Sequence, residues 1–338
     1  MSKAVFIHGA YDVRVGPYQP PPPRNDTVML KVAAVGLCGS DLHYYKDGGI
    51  GAAVIAKPFV PGHEFAGYLV NDEQALGLKR GTLVAVDPNR ACGKCEFCLA
   101  GHANLCPKVE FIGAPPFDGA MTETIAVPSE LVVPIPPSFT PLQAVMLEPL
   151  GVAIHAIDLA KPRLGESVAL IGCGPIGLLI LEVLKAAGAG DIFAVDPIET
   201  RRDFALRLGA KRAGSSVKDI AQWSKGQGYP LVIEATNSPA GFNDAVLAAK
   251  IGGRVVLVGI PDGNSYTLDA AQARRRGLKI KFSRRMGHVY PRAIDLVAQG
   301  KVDVVSMVTN EFALDDAPKA FRLHAEGAAG VIKSLIVP

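Results

Sequence analysis

Residues 167–196 read SVALIGCGPIGLLILEVLKAAGAGDIFAVD, and this stretch decides the fold. Its apolar run Ser167–Ile171 predicts a β-strand, Leu178–Ala187 predicts a helix, and Ile192–Val195 predicts a second strand. Helices that alternate with strands indicate parallel β-α-β units in a doubly wound sheet. The series continues with one helix and three strands, predicted at Arg201–Leu208, Leu231–Glu234, Arg254–Val258 and Leu278–Phe282.

Three glycines lie between the first strand and the helix. Gly172, Gly174 and Gly177 form a G-x-G-x-x-G pattern that encloses Pro175 and Ile176. In this setting the first glycine allows a tight turn, the second lets a pyrophosphate approach the backbone, and the third lets helix and strand pack closely. The helix N-terminus adds free N–H groups for the phosphates. The pattern predicts a dinucleotide site, and its alternative is a β-turn-helix without a cofactor.

An acidic residue closes the second strand. Asp196 follows Gly177 by nineteen residues, where a carboxylate would bind the adenosine ribose hydroxyls. Its charge would repel a 2′-phosphate, so the sequence favours NAD over NADP. Arg201 and Arg202 follow closely and count against strict selectivity, because an arginine can serve a 2′-phosphate. We also expect Arg201 to contact the cofactor.

The remaining sequence predicts a β-rich first half and a mixed tail. Short strands separated by turn residues are predicted at Val28–Val35, Phe65–Val70, Leu83–Val86, Glu123–Val127 and Leu131–Ile135. The pattern changes near Leu147. After about Pro291 we predict a helix, then a strand at Val304–Val308, a helix at Asp316–Ala325 and a strand at Val331–Ile336. We expect this tail to return partly to the first domain.

Composition excludes several classes of protein. The length of 338 residues predicts two domains, at roughly 150 residues per domain. The formal charge of +3 is nearly balanced, which argues against a nucleic-acid or membrane-surface binder. The longest apolar stretch, Val168–Leu181, is broken by glycines and a proline and is too short to span a membrane. With no targeting segment evident, we expect a cytoplasmic protein.

Four of the six cysteines are clustered. Cys92, Cys95, Cys98 and Cys106 lie within fifteen residues. Four thiolates complete a tetrahedral zinc shell and leave no position for water, so the cluster predicts a structural zinc site. An iron–sulfur site or disulfides are the alternatives.

A second set of ligand types is spread along the chain. Cys38 begins the segment CGSDLH, His63 and Glu64 follow a glycine, and Glu148 precedes a proline. Cysteine, histidine and glutamate together can hold zinc with an open fourth position. Because these residues lie in glycine-rich turns beside apolar strands, we predict a catalytic metal site.

These segments resemble the zinc-dependent medium-chain dehydrogenases over essentially the whole chain. The resemblance rests on GLCGSDLH (36–43), PGHE (61–64), the four-cysteine cluster, EPL (148–150) and the glycine pattern. The finer similarity, to the sorbitol and xylitol dehydrogenase branch, rests on DLHYY (41–45), GGIG (48–51), APPFDG (114–119) and EPLGVAIH (148–155).

The resemblance implies a fold, two zinc ions and roles for residues. It implies an α/β protein, with a GroES-like β-rich catalytic domain (residues 1–147 and 291–338) and a Rossmann NAD-binding domain (residues 148–290). It implies one catalytic zinc, held by Cys38, His63 and either Glu64 or Glu148, and one structural zinc. The other implied residues are Ser40 at the substrate hydroxyl, His43 at the end of a proton path, and Tyr44, Phe111 and Arg285 at the substrate.

The implied reaction is reversible, NAD-linked oxidation of a secondary alcohol of a polyol to the ketose. Ala114 and Met286 depart from the residues common in the branch and leave the polyol undefined. Threonine or a sugar phosphate is an alternative substrate within the superfamily. A non-enzymatic NAD-binding redox sensor is an alternative of another class. Relatives are dimers or tetramers, and an edge strand at Arg254–Val258 or Leu278–Phe282 could pair across a two-fold axis.

For Asp41 two roles are equally expected, as a partner for the His63 ring or as a turn cap.

Overall fold

The computed structural model describes residues 2–22 and 24–338. Its strands, numbered along the chain, are β1 (Ser2–Gly9), β2 (Asp12–Tyr18), β3 (Thr27–Gly36), β4 (Gly49–Ile50), β5 (Ala53–Val54), β6 (Glu64–Leu69), β7 (Leu83–Val86), β8 (Asn89–Arg90), β9 (Glu110–Phe111), β10 (Thr124–Pro128), β11 (Val132–Pro134), β12 (Val168–Ile171), β13 (Ile192–Val195), β14 (Arg212–Gly214), β15 (Tyr229–Glu234), β16 (Ala249–Leu257), β17 (Lys279–Phe282), β18 (Val308–Ala313) and β19 (Lys333–Val337).

The helices, numbered in the same way, are α1 (Gly39–Asp47), α2 (Glu96–Leu99), α3 (Pro141–Val145), α4 (Leu147–Ala160), α5 (Pro175–Ala186), α6 (Glu199–Arg207), α7 (Val217–Trp223), α8 (Gly241–Ala248), α9 (Ala270–Arg276), α10 (Tyr290–Ala298) and α11 (Ala317–Ala325). Short 3₁₀ turns lie at Ala103–Leu105, Ser129–Leu131, Asp262–Asn264 and Leu314–Asp316. Nowhere in the described chain is a helix both long and apolar enough to cross a bilayer.

The chain divides into two compact units. The first comprises Met1–Glu148, Tyr290–Ala298 and Val304–Pro338. The second comprises Pro149–Val289 and Gln299–Asp303.

The second unit contains a six-stranded, wholly parallel sheet. Its order is β14-β13-β12-β15-β16-β17, so the chain runs outward in one direction from β12 and then in the other from β15. Loops that leave the carboxyl ends of β12 and β15 therefore diverge, and such a switch point opens a crevice for a ligand. β12 is buried along its length, which explains its uninterrupted apolar sequence.

The first unit is built on a mainly antiparallel sheet of seven strands. Its order is β11-β7-β6-β3-β19-β18, and β10 also pairs with β3. The C-terminal strand β19 lies beside β3, where Leu335 pairs with Gly36. Phe59, Phe65 and Phe321 are buried in the largest core cluster of this unit. The tail of the chain is therefore part of the same core as its first third.

The structure corrects three expectations from the sequence. Val304–Val308 is wrong as a strand: the strand there is β18, because the residues from Val308 onward pair with β19, while Val304 is buried in a loop. The segment after Cys38 is not a glycine-rich turn but the helix α1. Arg254–Val258 is wrong as an edge strand, since β16 pairs on both sides, and β17 forms that edge.

Candidate active site

Pairing of β3 with β6 brings three ligand types together. Gly36 pairs with Glu64 in the antiparallel register, so Cys38, two residues further on, lies beside the start of β6. One donor atom each from Cys38, His63 and Glu64 lies within 4.8 Å of the others. A thiol, an imidazole and a carboxylate form the mixed donor set of a catalytic zinc site. The chemistry of these side chains therefore fits a zinc ion.

Asp41 links this cluster to the helix that follows it. Its Oδ2 atom accepts a hydrogen bond of 3.0 Å from the backbone N–H of Cys38, which caps α1. Its Oδ1 atom lies 3.8 Å from His63 Nδ1, which is beyond hydrogen-bond distance. Of the two roles expected for Asp41, the structure thus displays the cap.

Glu148 lies in the first turn of α4 and is buried. Burial raises the pKa of its carboxyl well above the usual range, and Glu64 and Cys38 add to this while His63 opposes it. Glu148 is therefore within electrostatic reach of the three clustered side chains. Among the described residues, however, the set of mutually close donor atoms contains Glu64 and not Glu148.

A buried lysine faces the same cluster. Lys333, the first residue of β19, is 1% exposed and forms an ion pair with Glu64. Its ammonium also donates to the carbonyl oxygen of Leu37 at 3.1 Å. Burial lowers the pKa of Lys333, but Glu64, assisted by Cys38 and Glu148, outweighs burial, so the pKa is raised. Sequence reasoning missed this residue.

The thiol of Cys38 is strongly affected by its surroundings. Burial, with a smaller contribution from Glu64, raises the pKa of Cys38 to about 12. Lys333 and a hydrogen bond from Ser40 act in the opposite direction. Ser40, predicted to contact the substrate hydroxyl, therefore lies next to one of the predicted metal ligands.

Helix α1 also carries the predicted proton-path residue. His43 is buried, and its Nδ1 atom lies 3.1 Å from Oδ2 of Asp47, one turn further along the helix. Asp47 was not singled out from the sequence, although an acid four residues after a histidine on a helix is a recognisable signal.

The predicted substrate residues are distributed over both units. Tyr44 is buried, with its ring centroid 5.3 Å from that of Phe59. The ring of Phe111, on β9, lies 5.3 Å from the ring of His63. Arg285 belongs to the second unit and has a positive φ of 53°, which is unusual for a residue other than glycine. That Arg285 contacts the same substrate as Tyr44 and Phe111 stays a prediction.

The four-cysteine cluster is assembled around α2 and the 3₁₀ turn that follows it. Single sulfur atoms of Cys92, Cys95, Cys98 and Cys106 all lie within 4.8 Å of one another. All six cysteines of the chain are unpaired thiols, so the disulfide alternative is not seen. Backbone N–H groups of Lys94 and Cys95 lower the pKa of Cys92 to about 6, and a thiolate is the form that binds zinc.

The glycine pattern adopts the expected strand-turn-helix geometry. Gly172 follows β12 with φ of 94°, and a side chain there would collide with the carbonyl of Ala235. Gly174 caps α5 and Pro175 is its first residue. A side chain at Gly177 would collide with the carbonyl of Gly172. Gly172 and Gly177 thus fit the tight turn and the close packing of helix on strand, and the helix end at Gly174 suits a closely approaching pyrophosphate.

Asp196 is tied to that loop. Its Oδ2 accepts from the backbone N–H of Cys173 at 2.8 Å, and its Oδ1 accepts from Ile198 at 2.9 Å. Arg201 Nη1 lies 3.9 Å from Oδ2, and Arg201 Nε is buried without a hydrogen-bond partner. Arg202 instead donates to the carbonyl oxygens of Asp196 and Pro197. Of the two arginines, Arg201 is the one beside the carboxylate.

Comparison with known proteins decides the family. Residues 24–137 match the family model "Alcohol dehydrogenase GroES-like domain", and residues 175–299 match "Zinc-binding dehydrogenase". The sorbitol dehydrogenase of Bacillus subtilis (strain 168) is 33% identical over 342 residues, which cover 99% of this chain and 97% of that protein. The chain belongs to the zinc-dependent medium-chain dehydrogenases.

Other relatives of this dehydrogenase support its sorbitol and xylitol dehydrogenase branch. A probable D-xylulose reductase A of Aspergillus clavatus is 36% identical, over 91% of this chain and 88% of that protein. The predicted fold class, a GroES-like domain with a Rossmann domain, is confirmed by the family models and the six-stranded parallel sheet.

Solved structures of dehydrogenases resemble this one along its whole length. A protein described as a short chain alcohol dehydrogenase of Escherichia coli CFT073, in complex with NADH, has a TM-score of 0.90 and 28% identity, covering 100% of this chain and 99% of that chain. A zinc-binding dehydrogenase of Sinorhizobium meliloti 1021, bound to NADP, has a TM-score of 0.88 and 30% identity, with coverage of 100% and 99%. Galactitol-1-phosphate dehydrogenase of Escherichia coli has a TM-score of 0.88 and 27% identity, with coverage of 99% and 100%.

Proposed function

We propose that this dehydrogenase catalyses the reversible, NAD-linked oxidation of a secondary alcohol of a polyol, of the sorbitol or xylitol type, to the ketose. The observation that carries the proposal is the cluster of Cys38, His63 and Glu64, in which the histidine and the glutamate are buried and the cysteine is half-buried. Three different donor types with mutually close atoms suit a zinc site that keeps a position for an alcohol. The names of the curated relatives, sorbitol dehydrogenase and D-xylulose reductase, support a polyol as that alcohol.

Cys38, His63 and Glu64 would hold the catalytic zinc, and the four-cysteine cluster would hold the structural one. The catalytic zinc supplies a Lewis acid that favours the deprotonated form of a bound hydroxyl. We propose Glu64 rather than Glu148 as the carboxylate ligand, because Glu64 has an oxygen within 4.8 Å of the other two donors. Glu148 keeps a proposed catalytic role as a buried carboxyl that interacts electrostatically with all three of these side chains.

Proton removal would use two residues of α1. Ser40 accepts the hydroxyl proton of the substrate, and His43 passes it towards solvent. Asp47 supports this role of His43, because its carboxylate, 3.1 Å from Nδ1, orients the ring and fixes which nitrogen carries the proton. The hydride on the same alcohol carbon would pass to the nicotinamide of NAD, so the products are the ketose, NADH and one proton.

Cofactor binding would use the glycine loop and the residues after β13. Gly172, Gly174 and Gly177, with Pro175 and Ile176, would surround the pyrophosphate at the N-terminus of α5. Asp196 favours NAD by its charge. Arg201, with a buried and unpaired Nε, would contact the adenosine end of the cofactor.

The remaining parts of the proposal rest on the family resemblance. Tyr44, Phe111 and Arg285 would contact the polyol. The catalytic domain would comprise residues 1–147 and 291–338, and the Rossmann domain residues 148–290. We propose a cytoplasmic homo-oligomer, a dimer or tetramer, in which the edge strand β17 is available for pairing across a two-fold axis.

A substrate panel tests this function. The zinc-loaded enzyme is assayed with xylitol, sorbitol, galactitol, L-threonine and a hexitol phosphate, each with NAD and with NADP. The proposal requires the highest kcat/KM for a polyol with NAD. A higher kcat/KM for threonine or for the hexitol phosphate would contradict the polyol, and hydride transfer that survives complete zinc removal would contradict the zinc mechanism.

A further inference from the structure

The C-terminal strand contributes a buried cation to the metal-ligand cluster. Lys333 lies on β19 between β18 and β3 and is 1% exposed. Among the buried residues that the structure describes, it is the only lysine or arginine. Burying a lysine is costly unless it is paired and hydrogen-bonded. Lys333 meets this condition through Glu64 and the carbonyl oxygen of Leu37.

The sheet provides a fitted space for the Lys333–Glu64 pair. Gly36 lies directly beneath it, because Gly36 pairs with Glu64 on one side and with Leu335 on the other. A β-carbon at Gly36 would lie 3.1 Å from Lys333 Cε and 3.1 Å from Glu64 Cβ, and it would overlap Glu64 Oε2. The absence of a side chain at this one position therefore allows the two charges to meet.

Lys333 binds one particular acidic group among several that surround it. Lys333 interacts electrostatically with four acidic side chains, Cys38, Asp41, Glu64 and Glu148. Of these four, its ammonium donates a hydrogen bond to Glu64. The bond is made by a single oxygen, Oε2. One oxygen of Glu64 is thus engaged by Lys333, while a carboxylate can bind a metal through one oxygen or through both.

We propose that Lys333 is a positioning residue that restricts Glu64 to single-oxygen metal binding and so preserves an open coordination position for the substrate. Lys333 retains Oε2, and only the other oxygen of Glu64 is available to the zinc ion. A carboxylate that bound through both oxygens would occupy the position that a catalytic zinc keeps open. This inference rests on the proposed function only in assigning Glu64 as a ligand.

Cobalt substitution tests the inference through a visible spectrum, which can be recorded without any alcohol substrate. The catalytic zinc is exchanged for Co²⁺, whose visible spectrum distinguishes four from five ligands, in wild type, K333M, E64Q and the double variant. In K333M we expect a weaker, five-coordinate spectrum and a fall in kcat of about 10- to 100-fold, as for other residues that orient metal ligands. In the E64Q background, K333M should change the spectrum no further. K31M, on the exposed face of β3, is the matched control and should match wild type.

The outcomes separate this inference from the proposed function. An unchanged cobalt spectrum in K333M, or an equal change with and without Glu64, would overturn the role of Lys333 whatever the substrate proves to be. Inactivity on every polyol with the expected spectral changes would overturn the polyol alone. If K333M does not fold, the folding of K333M/E64Q supports the pairing, since both buried charges are then removed. Failure of both variants to fold would overturn it.

Discussion

The Nδ1 atom of His43 lies 3.1 Å from Oδ2 of Asp47, so a buried ring is joined to a carboxylate whose side chain is 39% exposed. The pair spans one turn of α1 and extends from the interior towards the surface. A proton that reaches His43 therefore has a nearby acceptor on the solvent side.

Asp47→Asn should slow proton removal without removing His43. We expect kcat for alcohol oxidation to fall about tenfold, a part of the 10²- to 10⁴-fold that a proton-transfer residue contributes. The solvent deuterium isotope effect on kcat should rise, because proton transfer becomes slower. Asp12→Asn is a matched control, since Asp12 is 38% exposed and pairs with Arg14 on β2. An Asp47 variant with the rate and isotope effect of wild type would contradict the proton path.

Asp196→Ala should weaken NAD binding and alter the choice of cofactor. The change leaves the buried N–H of Cys173 and the N–H of Ile198 without their acceptor, at a cost of about 1–3 kcal/mol each. We expect the dissociation constant for NADH, measured by fluorescence titration, to rise at least tenfold. The ratio of kcat/KM for NADP to that for NAD should also rise, since the repelling charge is lost and Arg201 stays. Asp203→Asn serves as the control, because Asp203 is exposed on α6, the helix that carries Arg201. A ratio that does not change would show that Asp196 does not select the cofactor.

Cys95→Ser should remove one of two zinc ions. We expect elemental analysis to give about one zinc per chain instead of two, because the four-thiolate shell is incomplete. The melting temperature should fall while the spectrum of cobalt at the other site is kept. Cys173→Ser is the control, since Cys173 is buried in the nucleotide loop and should leave both metals bound. Two zinc ions in the Cys95 variant would contradict a metal in the four-cysteine cluster.

Glu234→Gln should change how stability depends on pH. Glu234 is fully buried, its Oε1 accepts from Thr236 N–H at 2.7 Å, and its Oε2 has no hydrogen-bond partner. Burial raises the pKa of Glu234 above its usual value of 4.5, although hydrogen bonds from Thr236 oppose this. The folded state therefore holds the proton more tightly than the unfolded state, and the contribution to stability is lost as pH rises from about 4.5 through the folded pKa.

The melting temperature of wild type relative to Glu234→Gln should consequently fall as the pH rises from 4.5. Glu326→Gln, at an exposed position, should run parallel to wild type over the same range. A constant difference between wild type and the Glu234 variant would show that the raised pKa has no effect on stability.

The apolar pattern of the sequence was sufficient to predict the bounds of two short, largely buried strands. β7 and β13 begin and end at the predicted residues, because each is an apolar run of four residues between turn residues and is too short for an ordinary helix. The glycine pattern, with Asp196 at its usual distance, identified the parallel sheet and the nucleotide loop. Local spacing also identified the four cysteines, which the chain brings together within fifteen residues.

The features that sequence reasoning missed depend on contacts between distant residues. Lys333 resembles any surface lysine, since its partner Glu64 lies 269 residues away. Helix α1 begins with Gly39 and Ser40, which are poor helix formers, so the sequence indicated a turn where the helix begins. β18 begins later than expected, because its register is determined by β19 and not by the alternation of valines before it.

The strand β19 has a consequence for synthesis on the ribosome. At about 5–20 residues per second, the 269 residues between Glu64 and Lys333 take roughly 13 to 54 s to translate. Once β11 has been translated, the emerging chain contains Cys38, His63, Glu64 and five of the seven strands of the first sheet. It still lacks β18, β19 and the counter-ion of Glu64. The second unit can complete its own sheet before the first one can. Completion of the first sheet therefore awaits translation of β19.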